Sequence, residues 1–265
     1  MKKEIIDDLP LWSAPFGLAL LETIRLRKGI SILDIGSGSG FPMIELAERF
    51  GDTCQVFGID PSESSFEAIT EKIGLKGITN AEIIRGVAED LPFKDKTFGL
   101  IVSNNGLNNV ADAGKVLSEC FRIADAGCQV VLTMNLPHTM IEFYEIFEEV
   151  LSEKNMSDEI RRMKDHITQK RKSIEWWSEA IAGAGFSVSS VNLDGFKMHY
   201  ADGHTFLSHS LIAGAFRPSW EAILSMEERS EIFEIILERL NQQALEQKRL
   251  IMSVPFVCFD CEKLS

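Results

Sequence analysis

Two carboxylates and three glycines are the residues whose types and spacing bear most directly on chemistry. Asp34 stands two positions before Gly36, Gly38 and Gly40, with Ser37 and Ser39 between the glycines, and a second acid, Asp60, followed by Pro61, closes the next apolar run, Gln55-Val56-Phe57-Gly58-Ile59. Glycines in a tight turn take positive φ and let a ligand lie against the backbone. The helix expected after them presents unpaired N–H groups at its start. A nucleotide-like ligand is therefore the first expectation. The spacing is not that of a dinucleotide fingerprint, which wants its third glycine where Phe41 stands, nor of a P-loop, which wants a lysine that is missing here. A negative Asp34 beside the turn opposes a pyrophosphate and welcomes an ammonium group.

Other groups that could do chemistry carry weaker spacing. Cys258-Phe259-Asp260-Cys261 has metal-ligand spacing but no second pair to complete it. His199, His204 and His209 recur every five residues, which fits one face of neither a helix nor a strand. No metal is expected. Arg161, Arg162, Lys164, Lys170, Arg171 and Lys172 follow an acidic segment from Glu142 to Glu153, and mutual pairing on a solvated face is the expectation.

The elements that must position these residues follow from periodicity. Ser31-Ile32-Leu33-Asp34-Ile35 reads as a buried strand running into the glycine turn, and Phe41 to Ala47 as the helix after it, with Pro42 in its first turn. From 30 to 135 strand and helix patterns alternate, with strands near 31–35, 55–60, 81–85, 98–104 and 128–135 and helices near 41–50, 62–73 and 111–124. That rhythm predicts a parallel sheet with helices on both faces. After Pro137 two helices replace it, a further helix spans 173–184, and strands near 186–191 and 254–259 complete the sheet, Pro255 fitting a strand start better than its centre. Some fifty residues, 196–248, lie between those last strands where a hairpin would need only a few. Trp12 and Phe16 precede the first strand and are read as a cap on the ligand site.

Composition bounds the function class. The chain has 265 residues and a formal net charge of -13, which disfavours nucleic acid or an anionic membrane as a main partner. Five cysteines at irregular spacing fit a reducing compartment. No apolar run reaches membrane-spanning length and no signal-peptide pattern opens the chain, so a soluble, cytoplasmic protein without membrane insertion is expected.

The glycine turn with its two acids resembles motif I of the class I S-adenosylmethionine (SAM) methyltransferases. Gly86-Val87-Ala88-Glu89-Asp90-Leu91-Pro92-Phe93 is similar to that family's adenine-binding segment, and Phe98 to Val110 to its fourth strand and following loop, closest to the ubiquinone/menaquinone biosynthesis methyltransferases with their F-G-L-R-N-V run. The resemblance implies an α/β, doubly wound, seven-stranded, mostly parallel sheet with helical lid insertions, and SAM as cofactor. It implies that the glycine turn (Asp34, Gly36, Ser37, Gly38, Gly40) faces the methionine part and that Asp60, beside Pro61, takes the ribose hydroxyls, since one carboxylate accepts two O–H bonds well. Ala88, Glu89 and Asp90 fall to the adenine, and Ser103 and Asn104 to the end of strand four. Val87 departs from the Asp or Asn of many relatives, Gly99 from a usual Asp, Asn108 from the quinone enzymes' Arg, and Asp125 to Cys128 from a K-P-G-G turn.

The expected organisation is an N-terminal cap at 1–29, a SAM-binding core at 30–136, a helical lid at 137–172, and the rest of the sheet at 173–265 with its insertion at 196–248. The expected activity is methyl transfer to a small aromatic or hydrophobic acceptor at carbon or oxygen, the alternative being a SAM-binding sensor or partner subunit. Acceptor contacts are expected from Trp12, Phe16, Asn108, Asn135, Tyr144 and Tyr200, because ligands in such sheets gather beyond the carboxyl ends of the strands. If the acceptor is a phenol or an acidic C–H, His138 or His199 is the expected base, with Tyr144 and Tyr200 as alternatives. Besides that small molecule, a second copy in a homodimer is compatible with the sequence.

Overall fold

The computed structural model describes residues 11–264. The expectations for residues 1–10, the first part of the N-terminal cap, lie outside the described residues. In chain order the elements are α1 (Ala14–Thr23), β1 (Ser31–Ile35), α2 (Met43–Phe50), β2 (Gln55–Asp60), α3 (Glu63–Lys76), β3 (Ala81–Arg85), β4 (Phe98–Asn104), α4 (Ala113–Ile123) and β5 (Ala124–Asn135). They continue with α5 (Ile141–Glu153), α6 (Ser157–Lys170), α7 (Ile174–Gly183), β6 (Ser187–Tyr200), α8 (Gly203–Ser208), α9 (Arg217–Glu221), α10 (Arg229–Gln247) and β7 (Leu250–Glu262). Ser62 caps α3 by accepting from the Ser65 N–H, and Gly77 ends that helix in the left-handed region. Asp112 caps α4 in the same way through the Lys115 N–H.

Among the described residues seven strands form one sheet in the order β3-β2-β1-β4-β5-β7-β6. The pairings from β3 to β5 are parallel and β7 runs antiparallel to β5. Strand order reverses between β1 and β4, so the segments leaving their carboxyl ends diverge and open a crevice there. This is the doubly wound α/β architecture expected from the sequence.

The chain divides into two compact units, one of residues to Asn135 with Ser173–Asp194 and Phe256 onward, the other of Leu136–Lys172 with Gly195–Pro255. In the first, Ile32, Val56, Leu100 and Val102 of the sheet pack with Leu20 of α1 and Met43, Leu46 and Ala47 of α2. In the second, the core is aromatic: Phe143 stacks on Trp220 at 3.9 Å between ring centroids, and Phe147 and Phe206 are fully buried beside them.

Several boundaries differ from the sequence reading, β5 for instance beginning at Ala124 and not near 128. Helix α2 begins at Met43, with Pro42 just outside it. Strands β6 and β7 are much longer than 186–191 and 254–259. Pro255 lies well inside β7 and not at its start, and Gly195 of β6 lies against it: a Cβ on Gly195 would sit 3.4 Å from Pro255 Cα. A residue without a side chain opposite a residue without an N–H lets the ladder continue past the proline.

Candidate active site

The glycine turn leaves β1 and is held by β2. The N–H groups of Gly36 and Ser37 donate to Ile59 O at 2.9 and 3.3 Å, that of Gly40 to Ser37 O at 2.8 Å, and that of Gly38 to Asp60 Oδ2 at 2.9 Å. All three glycines have positive φ, +74°, +52° and +105°. Those four amides are thereby partnered within the turn and to β2. Asp60 Oδ1 also accepts from the Ser62 N–H at 2.9 Å, so each carboxylate oxygen has one protein partner and capacity for another. Gly36 packs on Gly106 of the loop after β4: a Cβ on Gly36 would meet Gly106 Cα at 3.1 Å, and one on Gly106 would meet Ile35 O at 2.6 Å. Gly106 is a site-building residue that sequence reading passed over, since a lone glycine between asparagines carries no spacing signal.

A cavity of about 660 Å³ opens at this point of the first unit. Of the residues singled out by sequence, Gly36, Gly38, Asp60, Pro61, Ala88, Glu89, Asn104 and Trp12 line it. Val87, Ser13, Ile59, Gly86, Val110 and Ala111 line it too, beyond the residues expected to touch a ligand. A Cβ on Gly38 meets no protein atom within 4 Å, so a side chain there would project into ligand space.

Asp34, Ser37, Gly40, Asp90 and Ser103 do not line the cavity. Ser37 Oγ donates to Asp34 O at 3.0 Å and Ser103 Oγ to Ile35 O at 2.9 Å, so both hydroxyls brace the strand end from behind. Asp34 is fully buried, and neither carboxyl oxygen has a hydrogen-bond partner among the described residues. Burial pushes its pKa up to about 7, with the negative Asp60 adding to the shift; the nearby Ser37 hydroxyl and Met43 N–H oppose it without reaching hydrogen-bond geometry. Phe16 is part of the core, fully buried against Phe256 at 4.8 Å and Trp12 at 5.5 Å, so of the expected aromatic cap only Trp12 reaches the cavity.

Asparagines tie the ends of β4 and β5 together. Asn104 Nδ2 donates to Ser13 O at 3.1 Å and its Oδ1 accepts from Thr133 Oγ1 at 3.0 Å. Asn108 Nδ2 donates to Asn105 Oδ1 at 2.7 Å and to Asn135 Oδ1, while the Asn135 N–H donates to Asn105 Oδ1 at 3.0 Å. Asn108 and Asn135, expected to contact the acceptor, bond to each other and do not line the cavity; their amides are engaged in building the loop, leaving Asn108 Oδ1 buried without a partner among the described residues. Glu89 accepts from the N–H groups of Ala111 and Asp112 at 2.8 and 3.2 Å, which fixes the far wall.

A family model described as a methyltransferase domain matches residues 26–181. The chain belongs to that family. It is a class I SAM-dependent methyltransferase domain in fold, and SAM is the family's cofactor. It is 32% identical over 127 residues to a demethylmenaquinone methyltransferase from Anoxybacillus flavithermus, covering 48% of this chain and 54% of that protein, so the chain spans about half the length of the curated relatives it matches. Among solved structures, a putative methyltransferase from Bacillus halodurans has a TM-score of 0.62 at 17% identity, covering 94% of this chain and 99% of that one. Geranyl diphosphate methyltransferase in complex with SAM has a TM-score of 0.59 at 18% identity, covering 95% and 85%. At these identities the solved structures establish the fold of the methyltransferase.

The remaining sequence-chosen residues of this methyltransferase belong to the second unit. His138 and His199 are both exposed. Tyr144 is a core residue whose oxygen accepts from Trp220 Nε1 at 2.9 Å and Arg171 Nη1 at 3.3 Å. Tyr200 is half-buried on β6, edge-on to Phe206 at 5.1 Å, and burial pushes its pKa up to about 12, which disfavours it as a base at neutral pH. All five cysteines are free and buried.

Proposed function

We propose that this chain transfers the methyl group of SAM to a small aromatic or hydrophobic acceptor, at carbon or oxygen. The observation that carries the reading is the Asp60 carboxylate, anchored to the glycine turn and facing the cavity with acceptor capacity to spare. A ribose diol supplies the two O–H donors that such a carboxylate lacks. Val87 and Ile59 give an apolar wall for the adenine ring. The cavity volume suits one ligand of this size.

Bound SAM supplies a methyl group on a sulfonium, an electrophile that needs no metal or covalent intermediate on the protein. The chain's share of the work is to align the acceptor with that carbon and to keep water out. The name of the demethylmenaquinone methyltransferases supports an aromatic, apolar acceptor. Where the acceptor must lose a proton, a general base is required, and histidine titrates in the right range. Incubation with methyl-labelled SAM and a panel of phenols, quinols and aromatic acids tests this: label in an extracted product supports the enzyme, whereas tight SAM binding without transfer to any member supports a SAM-binding sensor or partner subunit.

A further inference from the structure

The loop after β4 carries a side chain whose orientation the fold settles. Asn105 Oδ1 accepts from the backbone N–H of Asn135 at 3.0 Å and from Asn108 Nδ2 at 2.7 Å. A backbone N–H can only donate, so the carboxamide atom that faces it is the oxygen. The backbone is held as firmly. The Asn105 N–H donates to Thr133 O at 2.9 Å and to Thr133 Oγ1 at 3.1 Å, and its φ of +59° lies in the left-handed region that asparagine tolerates better than most residues. Oδ1 is thereby turned toward the end of β5, and Nδ2, on the other arm of the carboxamide, is left for the cavity that Asn105 lines. That nitrogen finds no acceptor among the described residues.

The other polar side chains of the cavity are placed differently. Asn104 is engaged at both ends, by Ser13 O and by Thr133 Oγ1. Among the described residues that line the cavity the charged ones are Asp60 and Glu89, and no lysine, arginine or histidine joins them. A ligand carboxylate or phosphate brought to Asn105 adds negative charge to a space that already holds two carboxylates, with no cation to offset it. An uncharged oxygen meets no such cost and satisfies the donor. Position points the same way. Strand β1 pairs with β2 on one side and with β4 on the other, so Asp60 at the end of β2 and Asn105 just beyond β4 flank the glycine turn, about 10 Å apart at two inter-strand spacings. Gly86 and Val87 follow β3, on the far side of Asp60. A cofactor with its adenine by Val87 and its ribose on Asp60 therefore extends its sulfonium end toward Asn105.

We propose that Asn105 is a specificity-determining residue, its Nδ2 donating to a carbonyl or phenolic oxygen of an uncharged methyl acceptor. Resting on the methyltransferase reading above, this narrows the acceptor: phenols, quinols and ketones fit the first unit's cavity, and aromatic acids do not. Asn135 and Asn108 act through Asn105, as the groups that aim its carboxamide.

The test reads binding separately from methylation, by equilibrium dialysis on the full chain with and without S-adenosylhomocysteine. The probes are 2-acetylnaphthalene, whose carbonyl can only accept, 2-ethylnaphthalene, which has a similar shape without the oxygen, and 2-naphthoate, which adds a charge. Wild-type protein is expected to bind the ketone about tenfold more tightly than the hydrocarbon, and more tightly than naphthoate. Asn105→Asp keeps an oxygen for Asn135 and Asn108 and tolerates the left-handed φ, but puts an acceptor where the donor was, so ketone affinity should fall to that of the hydrocarbon. Asn105→Gly takes positive φ freely and brings no charge, and it should level the two probes in the same way. Equal binding of ketone and hydrocarbon by wild type, a preference that survives both substitutions, or no binding of the ketone overturns the oxygen receptor. Tightest binding of naphthoate overturns the uncharged acceptor. The cofactor's own carboxylate is the competing oxygen: if Asn105→Gly weakens S-adenosylhomocysteine about tenfold and leaves its decarboxylated analogue unchanged, the donor serves the cofactor and the acceptor assignment falls. Failure of wild type to bind S-adenosylhomocysteine overturns the methyltransferase reading, and a ketone preference that persists without it leaves the oxygen receptor supported.

Discussion

Asp34 in β1 and Asp60 at the end of β2 lie on neighbouring strands and are kept in opposite conditions. Asp60 is bonded to two backbone N–H groups and faces the cavity, while Asp34 is sealed behind the turn with its pKa up at about 7. Below the ordinary value of 3.8 both folded and unfolded chains carry the proton on Asp34, and burial costs no charge. Between 3.8 and about 7 the unfolded chain gives up that proton while the folded chain keeps it, so stability falls as pH rises, by on the order of 4 kcal/mol once above 7. Asp34→Asn should remove this slope: urea unfolding of the SAM-free protein at pH 5 and pH 8 should show the variant gaining on wild type at the higher pH. A wild-type curve that is flat relative to the variant would contradict the burial argument. Asp60→Ala should weaken SAM by roughly 1.5–3 kcal/mol, about ten- to a hundredfold, because hydrogen bonds to a charged acceptor are lost and the Gly38 N–H is freed. Calorimetry giving unchanged affinity would remove Asp60 from the ligand. Both acids were legible in the sequence from their distance to the glycines. Their opposite environments were not, because which side of a turn a carboxylate faces depends on the strand beside it. Asn105, with φ of +59°, was equally hidden: nothing in the run Asn104 to Asn109 says which asparagine takes the left-handed position.

Helix α1 shows how an element is fixed by one small residue. Gly17 is buried, and a Cβ added there would lie 2.0 Å from Phe41 Cε1, on the residue that follows the glycine turn. The phenylalanine that breaks the dinucleotide fingerprint is thus the seat of α1, and Ser13 at the head of that helix is tied to Asn104 at the end of β4. Gly17→Ala should lift the helix, loosen the Trp12 and Ser13 wall of the cavity and cost roughly 1–3 kcal/mol by overpacking. Adding Phe41→Ala should recover much of the lost melting temperature, a coupling that two independent effects would lack. Strands β1 to β5 were readable because each is a short apolar run between turn residues. The ends of β6 and β7 were not, since β6 lies at the sheet edge with most of its residues exposed and reads as loop until its partner strand is known. Short helices such as α8 and α9 leave too few turns for periodicity to register.

At the scale of the molecule, the parallel strands place both glycine-containing turns, after β1 and after β4, at the point where strand order reverses, which is where the crevice proposed for the cofactor opens. Among the described residues no helix is long and apolar enough to cross a membrane. The five free thiols give a direct reading of how this sheet opens. Cys128, Cys258 and Cys261 lie in β5 and β7, Cys120 in α4 and Cys54 just before β2, all buried and all in the first unit. Burial pushes Cys128 and Cys261 up to about 12 and raises Cys120 and Cys258 as well, so these four offer no thiolate for attack in the closed state. A disulfide reagent at pH 8 should therefore modify the native protein only through opening, with the thiols of α4, β5 and β7 reacting at one common slow rate and all five reacting at once in denaturant. SAM binds the closed unit alone on this account, so at a hundred times its Kd it should slow the common rate by about a hundredfold, the kinetic image of ~2.7 kcal/mol of linkage. Cys54, on the short 3-10 turn after α2, is the thiol that would part from the others if that corner opens by itself. Two strand thiols reacting rapidly and indifferently to SAM would show that β5 and β7 separate without the cofactor site being disturbed, and would break the link drawn here between the integrity of the sheet and the crevice it forms.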